Sequence, residues 1–155
     1  MRRALTPSTA AQLLAEARAR TLLLIAPVSE EDLRRQHDPL MGPILWDLGH
    51  IAHFEELWLL DNLRDEIAFG EMPGLFNPFE NPRARRGALD LPSLCEMNDL
   101  LRDVRGRVLD ALAHASFEDG SPLLRDGYVY RMVAQHEYQH DETILQTLKL
   151  KQGDH

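Results

Sequence analysis

His136 and His140 stand four residues apart on a stripe through Val129, Val133, His136, His140, Ile144, Thr147 and Lys151 that steps by three or four residues. That spacing puts both imidazoles on one helix face with Cβ atoms roughly 5–6 Å apart, close enough for both rings to hold one ion. Buried imidazole needs a partner for its ring nitrogens. Hydrogen bonds within a core would serve, and so would a metal ion. A mononuclear catalytic metal usually has three protein ligands and open positions beyond them, so the pair needs a companion. His50 is the best candidate, at mid-length of a strongly apolar segment on the line Trp46, His50, Phe54 and Leu57. His53 competes with it, as a fourth ligand, as a hydrogen-bonding neighbour of the ligands, or as a solvent-exposed side chain. His37, His114 and His155 fall in loops or at ends and read as solvated.

The same segment spells His136-Glu137-Tyr138-Gln139-His140, the H-E-x-x-H pattern in which a zinc peptidase uses the glutamate as general base. The context argues against that chemistry. The longer H-x-x-G-x-x-H continuation is absent, and no strand pattern supplies a substrate-binding edge.

The elements that would carry these residues are helices. The first spans Ser8 to Ile25 and stops before Pro27, with Ala10, Leu13, Leu14, Ala17, Thr21 and Leu24 toward the core. A short helix follows from Ser29 to Gln36. The second long helix runs from Pro43 to about Leu63 and is apolar almost all round, hence buried. Four prolines and three glycines between Phe69 and Pro92 predict a long irregular connection. Ser93 and Glu96 form a capping box that opens a third long helix ending near Ala115. Gly120, Pro122 and Gly127 precede the last helix, with Gly153 as its C-cap. The expected fold is therefore all-α, a four-helix bundle whose second and third long helices run parallel through a crossover in the long loop.

At 155 residues and 44% hydrophobic content, one domain with its own core is expected. Twenty-five acidic against seventeen basic side chains give a net charge of −8, which opposes nucleic acid or an anionic membrane as partner. Charges at Glu16, Arg18 and Arg20 interrupt any signal-peptide core or membrane span. Cys95 is the single cysteine. It leaves no intrachain disulfide, fits a reducing cytoplasm, and reads as a small buried hydrophobe.

Two blocks, Trp46-Asp47-Leu48-Gly49-His50-Ile51-Ala52-His53-Phe54-Glu55-Glu56-Leu57-Trp58 and His136-Glu137-Tyr138-Gln139-His140-Asp141-Glu142-Thr143, resemble the DinB-like metal-binding domain of ergothioneine-type sulfoxide synthases. The loop Arg83-Ala84-Arg85-Arg86-Gly87 is similar to an arginine-containing segment of the same family. The resemblance covers nearly the whole chain, three blocks in the right order. It implies a DinB-like four-helix bundle over residues 1–155 that holds non-haem iron(II) through His50, His136 and His140. In that family the iron binds a thiol and dioxygen, and sulfur is joined to the imidazole of a histidine betaine as a sulfoxide. By matching positions, Arg83 and Arg86 would hold a carboxylate of the thiol, and Gln139 would lie beside the iron and touch the betaine. On bare sequence Arg83 and Arg86 read as a solvated loop.

Members of that family ordinarily carry a second, sulfatase-modifying-factor-like domain with a catalytic tyrosine, to which Tyr128, Tyr130 and Tyr138 do not correspond. The expectation is a single metal-binding domain without it. The open end of the bundle is then left to a second domain, a partner chain, another copy of the chain or solvent. Three functions stay open: a sulfoxide synthase-like oxidoreductase of thiol metabolism, a DinB-like thiol transferase using a zinc-type metal, and a metal-binding stress or partner module without turnover; zinc or nickel stays open beside iron(II) as the metal.

Overall fold

The computed structural model describes residues 4–63, 74–118 and 121–151, and among them every regular element is helical. Helix α1 (Pro7–Ile25) opens on a reciprocal cap. Thr9 N–H donates to the Thr6 hydroxyl, the Thr9 hydroxyl accepts from Thr6 N–H, and Pro7 takes the first position, where its missing N–H costs nothing. Helix α2 (Glu30–Arg34) is capped by Ser29. Helix α3 (Ile44–Glu56) passes into a wider turn, Leu57–Asp61, where Asn62 N–H reaches Leu57 O five residues back. Helix α4 (Leu94–Leu112) starts from the expected Ser93–Glu96 capping box. Helix α5 (Tyr128–Leu150) follows Asp126 (φ 55°) and Gly127 (φ 70°), a left-handed pair in which glycine carries no Cβ penalty. It closes with Lys151 N–H on Thr147 O. Gly120 and Gly153, the latter expected as C-cap, lie outside the described residues.

Cross-helix pairs set the directions. Leu5 N–H bonds Asp126 O before both helices begin, Thr21 meets Asp141 midway, and Lys151 reaches Asp32 beyond the far ends, so α1 and α5 are parallel. Arg18 to Leu101 O and Arg105 to Leu14 O make α4 antiparallel to α1. The pairs Asp47–His140 and Phe54–His136 make α3 antiparallel to α5, so α3 and α4 share a direction. The expected crossover between them falls partly on residues 64–73, outside the described residues. The described remainder is more regular than its proline and glycine density predicts. It winds into a single 3₁₀ turn at Gly74–Phe76 and two turns at Arg83–Ala88, short pieces that need few local bonds, the second accepting Pro82 at its cap. No helix among the described residues is long and apolar enough to cross a membrane.

Leu14, Leu33, Ile44, Leu45, Leu48, Leu59, Met97, Val104, Val129 and Ile144 fill the core. Its centre is not purely apolar. Arg18 donates from Nε to Glu137 Oε1 and from Nη2 to Glu55 Oε2, each at 2.7 Å. Arg105 donates to both oxygens of Glu55, at 2.6 and 3.1 Å. Two cations and two anions thus join all four long helices, with Glu55 and Glu137 fully buried. This shifts the buried face of α5 from the one that apolar spacing predicts. Val133, Glu137, Asp141 and Ile144 lie deepest, while His136 and His140 sit one step round at its margin, half-buried. Cys95 is exposed, not buried as expected, because it lies off the α4 core line of Met97, Leu101, Val104, Val108 and Leu112.

Candidate metal centre

Helices α3 and α5 are antiparallel neighbours, and the two histidines of α5 face the one at the middle of α3. A ring nitrogen from each of His50, His136 and His140 lies within 4.8 Å of the others, so this group could hold a metal ion. Ring centroids are 5.1 Å apart for His50 and His136, 4.9 Å for His50 and His140, and 4.6 Å for His136 and His140.

Each ring is held from outside the group. His50 Nδ1 lies 3.0 Å from Phe76 O, His140 Nδ1 lies 3.0 Å from Asp47 Oδ1, and His136 stacks on Phe54 at 3.6 Å between centroids with planes 8° apart. With Nδ1 engaged, the Nε2 lone pairs of His50 and His140 remain for an ion. Burial lowers the His50 pKa to about 4, the Phe76 carbonyl opposing and His140, His53 and Arg86 adding to the fall. Burial, then His140 and His50, lower that of His136 to about 3. Both rings are therefore neutral at physiological pH, the protonation state a metal ligand requires.

The 3₁₀ turn at Gly74–Phe76 builds one wall. Trp46 Nε1–H donates to Leu75 O at 2.7 Å, and the next carbonyl, Phe76 O, takes His50. Trp46 and His50, one turn apart on α3, consequently stack at 5.0 Å with planes 11° apart. Gly49 makes this approach possible, since a Cβ there would stand inside the Phe76 ring. Gly49→Ala is expected to cost about 1–3 kcal/mol in denaturant unfolding. It should also weaken metal binding in titration, because Phe76 moves with the carbonyl that holds His50. Wild-type values for both would show that the loop gives way freely.

The other sequence-predicted residues are placed variously. Arg86 is buried at 6% exposure, its guanidinium 3.4 Å above the Trp46 ring and its Nε donating to Asn81 O at 2.8 Å. Burial lowers its pKa to about 10 against the pull of Asp47. Arg86, Trp46 and His50 thus form one continuous stack. Arg83 and Gln139 are exposed. His53 is half-buried and outside the three-histidine group, with its Nδ1 buried and without a hydrogen-bond partner among the described residues. Burial lowers its pKa, with Glu56 and Glu80 opposing. His37 bonds Asp32 O, His114 is exposed on Asp110 O, and His155 lies outside the described residues. Glu137, the would-be peptidase base, is committed to Arg18 and Thr21 on the far side of α5. Asp47 is not among the residues that spacing singles out. The available signal is an acid three residues before His50 on a helix otherwise fit for the core.

A sequence profile described as the DinB superfamily matches residues 13–144. The chain is 43% identical over 147 residues to the hercynine oxygenase of Mycolicibacterium thermoresistibile, covering 93% of this chain and 31% of that protein. It is 44% identical over 151 residues to the hercynine oxygenase of Mycobacterium tuberculosis, covering 96% and 34% respectively. The chain therefore spans about a third of the length of the curated relatives it matches.

Proposed function

The chain belongs to the DinB superfamily, and on that footing we propose that it is the metal-binding part of an oxygen-dependent enzyme of ergothioneine-type sulfur metabolism. The observation that carries the reading is the convergence of three imidazoles from two antiparallel helices. It is supported by identity above 40% to hercynine oxygenases across more than nine-tenths of the chain.

In this reading His50, His136 and His140 hold iron(II), for which neutral imidazoles are suitable donors. When bound, the ion supplies Lewis acidity that lowers a thiol's pKa and a one-electron couple for work with dioxygen. The overall change is RSH plus an imidazole C–H plus O₂ giving an imidazolyl sulfoxide plus water. One thiol hydrogen and one ring hydrogen leave in the water, and dioxygen provides the sulfoxide oxygen. The protein's part is placement. Arg83 and Arg86 take the carboxylate of the thiol, the planar guanidinium of Arg86 pre-set by its seat on Trp46. Gln139 meets the histidine betaine. The rest of the active site comes from a second domain or partner chain.

The test is anaerobic loading with iron(II), zinc(II) or nickel(II), followed by calorimetric titration of carboxylate-bearing thiols with and without the betaine. One equivalent of metal and thiol binding that Arg83→Ala weakens about 10- to 100-fold are expected, the loss of one charged hydrogen bond. Equal thiol affinity in the variant would remove Arg83 from the site. Thiol turnover without oxygen would favour a thiol transferase, and absence of metal binding would end the metal reading.

A further inference from the structure

We propose that Asp47 is a positioning residue for the metal centre, orienting His140 so that Nε2 faces His50 and His136 and supplying a fixed negative charge beside the bound ion. The inference rests on the reading that the three histidines hold a metal.

Asp47 lies in the first turn of α3, at 2% exposure, one residue after Trp46 and three before His50. Its Oδ1 is 3.0 Å from His140 Nδ1, ninety-three positions away on α5. It thereby ties the helix that carries one ligand to the helix that carries the other two. Its second oxygen, Oδ2, is buried and has no hydrogen-bond partner among the described residues. A buried carboxylate oxygen left empty is costly, by more than a neutral acceptor would be, unless a positive charge stands close by. Arg86 stands close enough to interact with this carboxylate, with its Nε on Asn81 O and its face on Trp46. The three-imidazole group is a second place for a cation, one residue contact away through His140.

The two outer contacts of the histidines are not equivalent. Phe76 O, which holds His50, is a neutral carbonyl, so it can fix a tautomer and little more. Asp47 can fix the tautomer of His140 and also places a carboxylate against the ring, which a neutral carbonyl does not. Three neutral imidazoles around a divalent ion carry a net charge of two. Asp47 reduces it to one inside a region of low dielectric, where each unit of charge is expensive.

The test uses cobalt(II) titration of the whole chain, wild type against Asp47→Asn and Asp47→Ala. Asparagine keeps an acceptor oxygen and the shape but drops the charge, whereas alanine drops both. The expected order is wild type, then Asn about 10-fold weaker, then Ala about 100-fold weaker. The cobalt visible bands should shift in the alanine variant and be largely restored in the asparagine variant, a signature that a purely structural role would not produce. Both variants binding within about twofold of wild type would overturn the proposal. Folding of the variants is removed from the question by ¹⁵N spectra of the metal-free wild type. A His140 ring protonated at Nδ1 is expected, and one protonated at Nε2 overturns the orienting role. Wild-type protein that fails to take up cobalt would sink the metal reading instead, and the ring tautomer would still decide for or against Asp47 as its anchor.

Discussion

Replacing Arg18 by methionine is expected to cost the metal-free protein about 3–5 kcal/mol, read as a lowered urea midpoint with the slope unchanged. The size follows from what is left behind. Arg18 bonds Glu137 and Glu55 at 2.7 Å each, and both carboxylates are fully buried. Arg105 bonds Glu55 and stands 3.5 Å from Glu137, so alone it must serve two anions. One negative charge then has no counterpart in the middle of the bundle. The double variant Arg18→Met, Glu137→Leu removes one charge of each sign, keeps Arg105 on Glu55, and should recover most of the loss. A single-variant cost under about 1 kcal/mol would show that water or relaxation answers the charge.

That cluster also marks where local sequence pattern stops being informative. The capping box at Ser93 and Glu96, the histidine pair on α5 and the lone histidine of α3 are all legible, because capping and helical periodicity are encoded within a few residues. Arg18 and Glu137 are 119 positions apart. Read locally, Arg18 interrupts an apolar stripe and Glu137 completes an H-E-x-x-H pattern; only the parallel packing of α1 and α5 turns them into partners. Asp47 and His140, 93 positions apart, are obscured for the same reason. Cys95 shows a different failure. Residue type favours burial of cysteine, but helical phase overrides it, and Cys95 falls outside the α4 core line by phase. Prolines and glycines between Phe69 and Pro92 rule out a long helix but not single 3₁₀ turns, and it is one such turn, Gly74–Phe76, whose carbonyls hold Trp46 and His50.

His136→Ala is expected to weaken binding of a divalent metal by a factor of about 10²–10³. Sharing the ~10–16 kcal/mol of a four-ligand zinc site evenly puts each ligand at roughly 2.5–4 kcal/mol, about that factor. The bundle should survive the change. His136 lies at the margin of the buried face, its main protein contact is the Phe54 ring, and the charge cluster one residue along is untouched. His53→Ala is the internal control, since His53 is one helical turn from His50 yet outside the three-nitrogen group, and it should keep metal affinity within a few-fold of wild type. Competition with protons gives an independent check. With the pKa of His50 lowered to about 4 and that of His136 to about 3, these two ligands do not have to shed a proton on binding above about pH 5. Between pH 7 and about pH 5.5 metal affinity should therefore fall by no more than about tenfold per pH unit, the most that one remaining ring can contribute, where three exposed imidazoles would release the ion more steeply. Equal metal affinity for wild type and His136→Ala, or equal losses from His136→Ala and His53→Ala, would place the ion somewhere other than between α3 and α5.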